Sequence, residues 1–137
     1  DTVLNKESGL KGLAGDQDMR EVRRRAAAGD KAARRALDVY AYRIRAYVGA
    51  YLAVVPGVQA LVFTAGIGEI DSALRRDVCA PLRHLGIHLD EAANEAHSSA
   101  ARAIDDGTGS IRILVIPTNE EAEIARQAQE AVAALGR

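Results

Sequence analysis

At 137 residues, 48% of them apolar and 27% charged, the chain has the size and composition of one globular domain or a piece of one. A formal net charge of −1 excludes a chain built as a whole for nucleic acid or an anionic membrane, and no apolar run approaches the roughly 18 residues of a membrane-spanning helix. The single cysteine, Cys79, rules out an internal disulfide and, with no secretory-type start, points to the cytoplasm.

The chain opens with a short helix-compatible piece and passes into the glycine-rich segment Ser8–Gly15, read as a packed-down loop. Asp18 is placed to cap a helix running to about Ala28, with Glu21 three residues on closing a capping box. Asp30 caps the longest element, predicted over Lys31 to about Val55 because Ala33, Leu37, Tyr40, Ile44 and Val48 recur at helical spacing. Pro56-Gly57 stops it. Leu61 to Thr64 then reads as a strand buried on both faces, followed by a Gly66-Ile67-Gly68 turn. A helix from Asp71 or Ser72 to Leu85 should kink or split at Pro81. Ile87-His88-Leu89 is a short extended piece, and Asp90 caps a helix expected from Glu91 to Arg102. After a polar loop, Ile111 to Pro117 is a second strand, and Thr118 with Glu121 caps a final helix to about Leu135. Two strands, each followed by a helix, predict an α/β fold with a parallel pair. Two strands are too few for a stable sheet, so further strands must come from elsewhere.

Three constellations could carry chemistry. The strand–glycine–helix order at Leu61 to Ser72 suits either a phosphate cradle or a βα turn whose glycines serve packing; G-x-G without a third glycine matches neither the dinucleotide fingerprint nor a Walker loop. Glu120 follows the second strand and is not needed for capping. If the strands are neighbours, it shares a sheet edge with Gly66–Gly68, where a carboxylate beside phosphates suits magnesium; helix N-terminal charge compensation is the alternative. Nine basic residues from Arg20 to Arg45 stand against Glu21, Asp30 and Asp38, the pattern of a solvated helix face more than of a nucleic-acid surface. His84, His88 and His97 with Cys79 match no zinc spacing, and Cys79 reads as a small core residue.

Ser8–Gly15 with Asp18-Met19-Arg20-Glu21-Val22, Leu61 through Glu69, and Val115 through Glu121 together resemble the acetate kinase family, in the family's order and across the whole chain. The resemblance is to roughly the last third of such enzymes. It implies part of an actin-like ATPase (ribonuclease H-like) lobe of the sugar kinase/Hsp70 superfamily, with the first strands of the lobe's sheet lying upstream. It implies transfer of a phosphoryl group between ATP and acetate, giving acetyl phosphate and ADP. On that resemblance Asp18, Met19 and Arg20 contact the adenosine. Gly66, Ile67, Gly68, Glu69 and Ile70 lie against the nucleotide, and Glu120 is the Mg2+-associated glutamate. Residues 1–57 form a helical region through which the family forms homodimers, and residues 58–137 a βαβα region facing the nucleotide. Catalytic residues and the acetate pocket are expected upstream, so the chain alone should be inactive. Ile70 and Asp71 stand where the family usually has Asn and Ser. A propionate- or butyrate-type carboxylate kinase and a non-catalytic dimerisation module are the competing readings.

Overall fold

The computed structural model describes residues 1–135, so the last two positions of the region expected at 58–137 lie outside the described residues. The helices are α1 (Thr2–Lys6), α2 (Gly9–Ala14), α3 (Met19–Ala27), α4 (Lys31–Val54), α5 (Ala65–Ile70), α6 (Ser72–Cys79), α7 (Glu91–Glu95) and α8 (Glu120–Leu135). The strands are β1 (Ala60–Phe63), β2 (Arg102–Ala103) and β3 (Arg112–Val115), in the order β1-β3-β2. β1 and β3 pair in parallel, with Phe63 opposite Val115, as the two apolar runs predict.

Two cores meet on α4. Its first half packs Ala33, Ala36 and Leu37 against Met19, Val22 and Ala26 of α3 and Ala14 of α2. Its second half turns Ala41, with Ile44, Val48 and Leu52, toward a core built from Phe63, Val78, Cys79, Ile104, Ile113 and Val115. Burial pushes the Cys79 thiol up to about 12, so it is an inert apolar filler. Arg45 ties α4 to α6 by donating to the Asp77 carbonyl at 2.7 Å.

Several expectations are corrected. The sheet has three strands, because the chain does not stay helical to Arg102: α7 ends at Glu95, and Arg102–Ala103 pairs antiparallel with β3. Burying Ile104 in the core and bonding its N–H to the Ile113 carbonyl at 2.8 Å draws this segment onto the sheet edge. The strands are buried on one face only. Ile113 and Val115 point inward while Val62 is 44% exposed, since α4 and α6 cover a single side. Ser8–Gly15 is largely helical. Gly12 lies so near the Glu7 carbonyl that an added Cβ would sit 2.8 Å from it, so this glycine serves close packing rather than a loop. The Gly66–Gly68 turn is α5, entered through Ala65 at φ 59°, a left-handed conformation costing about 1 kcal/mol in a non-glycine residue. α6 gives way to a 3-10 helix over Ala80–Leu85, the split expected of Pro81.

Neither capping box forms. Asp18 does cap α3, accepting from the Arg20 N–H at 2.9 Å, but Glu21 is taken by the Arg24 guanidinium. At α8 the cap is Asn119, which accepts from the Ala122 N–H at 3.0 Å, and Thr118 is committed elsewhere.

Candidate functional site

The start of α3 and the β1–α5–α6 segment form opposite walls of one open cavity of about 910 Å³. Asp18, Met19 and Arg20 line one side; Gly66, Ile67, Ile70 and Ala73 line the other. Six of the eight residues expected to meet a nucleotide are thus gathered from two places 48 positions apart, because α4 folds α3 back over the end of β1. The other two, Gly68 and Glu69, do not line it. Gly68 packs on β1, where an added Cβ would lie 3.4 Å from the Phe63 backbone.

The walls have distinct chemistry. Ile67, Ile70 and Ala73 supply apolar surface, and Ile70 is 76% exposed, while Met19 reaches the cavity edge but is 7% exposed and belongs mainly to the core between α3 and α4. Asp18 and Arg20 form a two-pronged pair, Nε to Oδ1 at 3.1 Å and Nη2 to Oδ2 at 2.8 Å. Those hydrogen bonds, first from the Arg20 side chain and then from its backbone N–H, hold the Asp18 carboxyl down at about 2. A volume in this range, mostly apolar with a few convergent polar groups, suits a small organic ligand such as a nucleoside.

Below the cavity, Arg23 Nε donates to Asp71 Oδ2 at 2.5 Å, and Asp71 Oδ1 caps α6 by accepting from the Leu74 N–H at 2.9 Å. Asp71 therefore brings no free negative charge to the site: its two oxygens are spent on a guanidinium and a helix start. Arg23 Nη2 is buried without a protein partner among the described residues. Two neighbouring arginines of the basic stretch are also paired, Arg24 with Glu21 and Arg25 with Asp30.

Glu69 Oε1 accepts from the Thr118 N–H at 2.9 Å and from the Thr118 hydroxyl at 3.1 Å. This links the C-terminal ends of β1 and β3. The Glu69 backbone is itself held. Arg75, 1% exposed, donates Nη1 to the carbonyls of Gly68 and Glu69, both at 2.9 Å. It also donates Nε to Asn94 Oδ1 and Nη2 to the Asn94 carbonyl, both at 2.8 Å. Burial, then the nearby Arg102, lowers the pKa of this guanidinium. Sequence reasoning missed Arg75 and Asn94. The available signal was an arginine at i−3, i−4 and i−7 from Val78, Cys79 and Leu82, on the apolar side of α6.

Glu120 opens α8 just past the end of β3. It lines a separate shallow depression with Thr118, Asn119, Glu123 and Ile124. Among the described residues no three His, Cys, Asp or Glu side chains are gathered as a metal cage. An exposed carboxylate such as Glu120 could serve as one ligand to magnesium, which keeps several waters and takes one or two carboxylates together with phosphate oxygens. No described helix is long and apolar enough to cross a membrane.

The profile of the Acetokinase family matches residues 1–126. The acetate kinase of Leifsonia xyli subsp. xyli is 53% identical over 134 residues, covering 98% of this chain and 34% of that protein. Among solved structures, Porphyromonas gingivalis acetate kinase superposes with a TM-score of 0.86 at 36% identity, over 96% of this chain and 33% of that one. A propionate kinase from Francisella tularensis subsp. tularensis gives 0.79 at 38% identity, over 88% and 30%. The chain spans about a third of the length of the curated relatives it matches. The α/β architecture is thus a portion of the actin-like ATPase fold of these enzymes. With the family profile running over nearly all of it and two separated segments meeting at one cavity, the chain belongs to the acetokinase family.

Proposed function

We propose that this chain is the nucleotide-binding C-terminal third of an acetate kinase, working in the cytoplasm as part of an enzyme that moves a phosphoryl group between ATP and acetate. The observation that carries the reading is the meeting of Asp18–Arg20 with Gly66, Ile67 and Ile70 across one cavity. Ile67 and Ile70 offer apolar surface to a purine and ribose, and the Asp18–Arg20 pair offers charge-assisted hydrogen bonds at the rim. Arg20, with its side chain 91% exposed, can turn toward a ligand at little cost. Glu120 would hold magnesium through one carboxylate. The ion would neutralise charge on the phosphates during transfer. The chain's own part is positioning: it excludes water from the base, orients the phosphates toward the sheet edge and supplies one metal carboxylate. The acetate pocket and the remaining cations belong to the rest of the enzyme.

The face of α4 carrying Tyr47, Tyr51 and Val54, all more than half exposed, supports a homodimer formed through residues 1–57. The test is enzymatic. The full-length protein should form acetyl phosphate from ATP and acetate with magnesium, and the 137-residue chain should bind ADP without turnover. Turnover by the chain alone, or a full-length protein without ADP binding, refutes the reading. The likeness to a propionate kinase favours one second reading, a kinase of longer short-chain carboxylates. Comparing kcat/KM on acetate, propionate and butyrate decides between them.

A further inference from the structure

Glu69 stands beside the proposed nucleotide cavity yet does not line it. Its carboxylate ties the α5 segment to the run that leads into α8: one oxygen takes both the N–H and the hydroxyl of Thr118. Two residues on is Glu120. Asn119, between them, is fixed as the helix cap through the Ala122 N–H at 3.0 Å. On the other side, the Glu69 main chain is clamped by Arg75, which reaches through Asn94 to the start of α6, where Asn94 Nδ2 donates to the Ser72 carbonyl at 3.0 Å. A continuous set of hydrogen bonds therefore runs from the buried Arg75–Asn94 pair, through the Glu69 backbone and carboxylate, to Thr118 and the first turn of α8.

We propose that Glu69 is a positioning residue that sets where the Glu120 carboxylate stands relative to the nucleotide cavity, and so tunes metal affinity without touching nucleotide or metal itself. This deepens the proposed function and rests on it. Three features support the assignment. First, Glu69 lies in the last turn of α5, and its carboxylate reaches across to Thr118, 49 positions on, just past the end of β3. Second, both Thr118 donors converge on one oxygen, which fixes direction as well as distance. Third, the described side chains of α8 through Ala133 are all exposed, so packing does little to place this helix. Where a ligand-bearing segment is held by few contacts, the hydrogen bond that orients it governs the ligand geometry, and loss of such outer partners costs metal sites roughly 10- to 100-fold in affinity.

The test uses the full-length enzyme carrying Glu69→Ala, Glu69→Gln and Thr118→Val. Binding of Mn2+ together with ADP, followed by electron paramagnetic resonance, is compared with binding of ADP alone by calorimetry. Exchange of the Thr118 amide is followed in parallel. Glu69→Ala should speed that exchange and weaken Mn2+ binding by about tenfold or more, with ADP alone changing less than about twofold. Glu69→Gln keeps an acceptor and should recover most of the affinity. Thr118→Val, which removes one donor and leaves the fold, should cost about fivefold. A wild-type enzyme that binds Mn2+–ADP and a Glu69→Ala or Thr118→Val variant that binds it equally well overturn the positioning role alone. Equal losses with and without metal also overturn it, because Glu69 would then support the cavity as a whole. A wild-type enzyme that binds no Mn2+–ADP overturns the kinase reading, and this one with it.

Discussion

Arg75 and Arg76 are adjacent arginines on one helix whose removal should have very unequal consequences. Arg75 is 1% exposed and gives four hydrogen bonds, two to Asn94 and two to the carbonyls closing α5. Among the described residues no carboxylate pairs with it directly, so carbonyl and amide dipoles hold its charge, with Asp71 and Glu95 acting at longer range. Arg75→Met preserves length and apolar volume but strands those acceptors. The two on Asn94, which is 0% exposed, cannot reach water, and each buried unsatisfied acceptor costs about 1–3 kcal/mol. The carbonyls of Gly68 and Glu69 are only part-buried and recover some solvation. The expected loss is about 3–5 kcal/mol, a large share of the 5–15 kcal/mol typical of a folded domain. Arg76 instead reaches Glu91 and Glu95 at the surface, with its own side chain 39% exposed, and surface pairs contribute about 0–1 kcal/mol. Equilibrium urea unfolding of the wild type, Arg75→Met and Arg76→Gln measures both. If Arg75→Met costs less than about 1 kcal/mol, or no more than Arg76→Gln, then the clamp does not hold α5 to α7 and the account of the site's foundation fails.

Two further outcomes are expected. Asp18 should titrate at about 2 rather than its ordinary 3.8, because Arg20 bonds the ionised form; its contribution to the α3 cap is full above 3.8 and disappears only as pH falls toward 2. A carbon-13 titration in which Asp18 already titrates near 3.8, or in which Arg20→Gln leaves it unmoved, contradicts this. Gly86 sits at φ 84° with an added Cβ colliding with Ser110 Oγ, whereas Gly107, at φ 73°, faces open space. Gly86→Ala should therefore cost about 2 kcal/mol or more and Gly107→Ala about 1 kcal/mol, and equal urea midpoints for the two variants would show that the Ser110 contact is immaterial.

What could be seen in the sequence was what depends on near neighbours. The β-branched run at Ile111–Val115 and the apolar run at Leu61–Phe63 announced a parallel pair. The spacing of Ala33, Leu37, Tyr40 and Ile44 announced α4 almost to its ends, and Pro81 marked where α6 changes character. β2 had no such signature. Two residues, Arg102 and Ala103, carry no pattern, and their pairing follows from burying Ile104 and filling the outer edge of β3. The capping boxes failed because a better partner was available: Arg24 for Glu21, and Glu69 for Thr118. At the site, the segments around Asp18 and Gly66 were legible as motifs, and the structure joins them at one cavity. The contacts that organise it, Arg23 with Asp71 and Glu69 with Thr118, span 48 and 49 positions. No local spacing encodes pairs so distant, and the contacts that hold Gly68 against β1 and Glu69 against Thr118 were likewise not visible in the sequence.

The exposed helix α8 behaves mechanically as a lever with its fulcrum at Thr118. Sixteen residues at 1.5 Å each make an arm of about 24 Å. A tilt of about 10° about the fulcrum would swing the far end by about 4 Å while displacing Glu120 by less than about 1 Å. The carboxylate is therefore insulated from whatever moves the distal turns, where Val132 is exposed. By the same ratio, a small error at Thr118 is magnified along the arm, and a distance probe on the last turns would register it before the chemistry did.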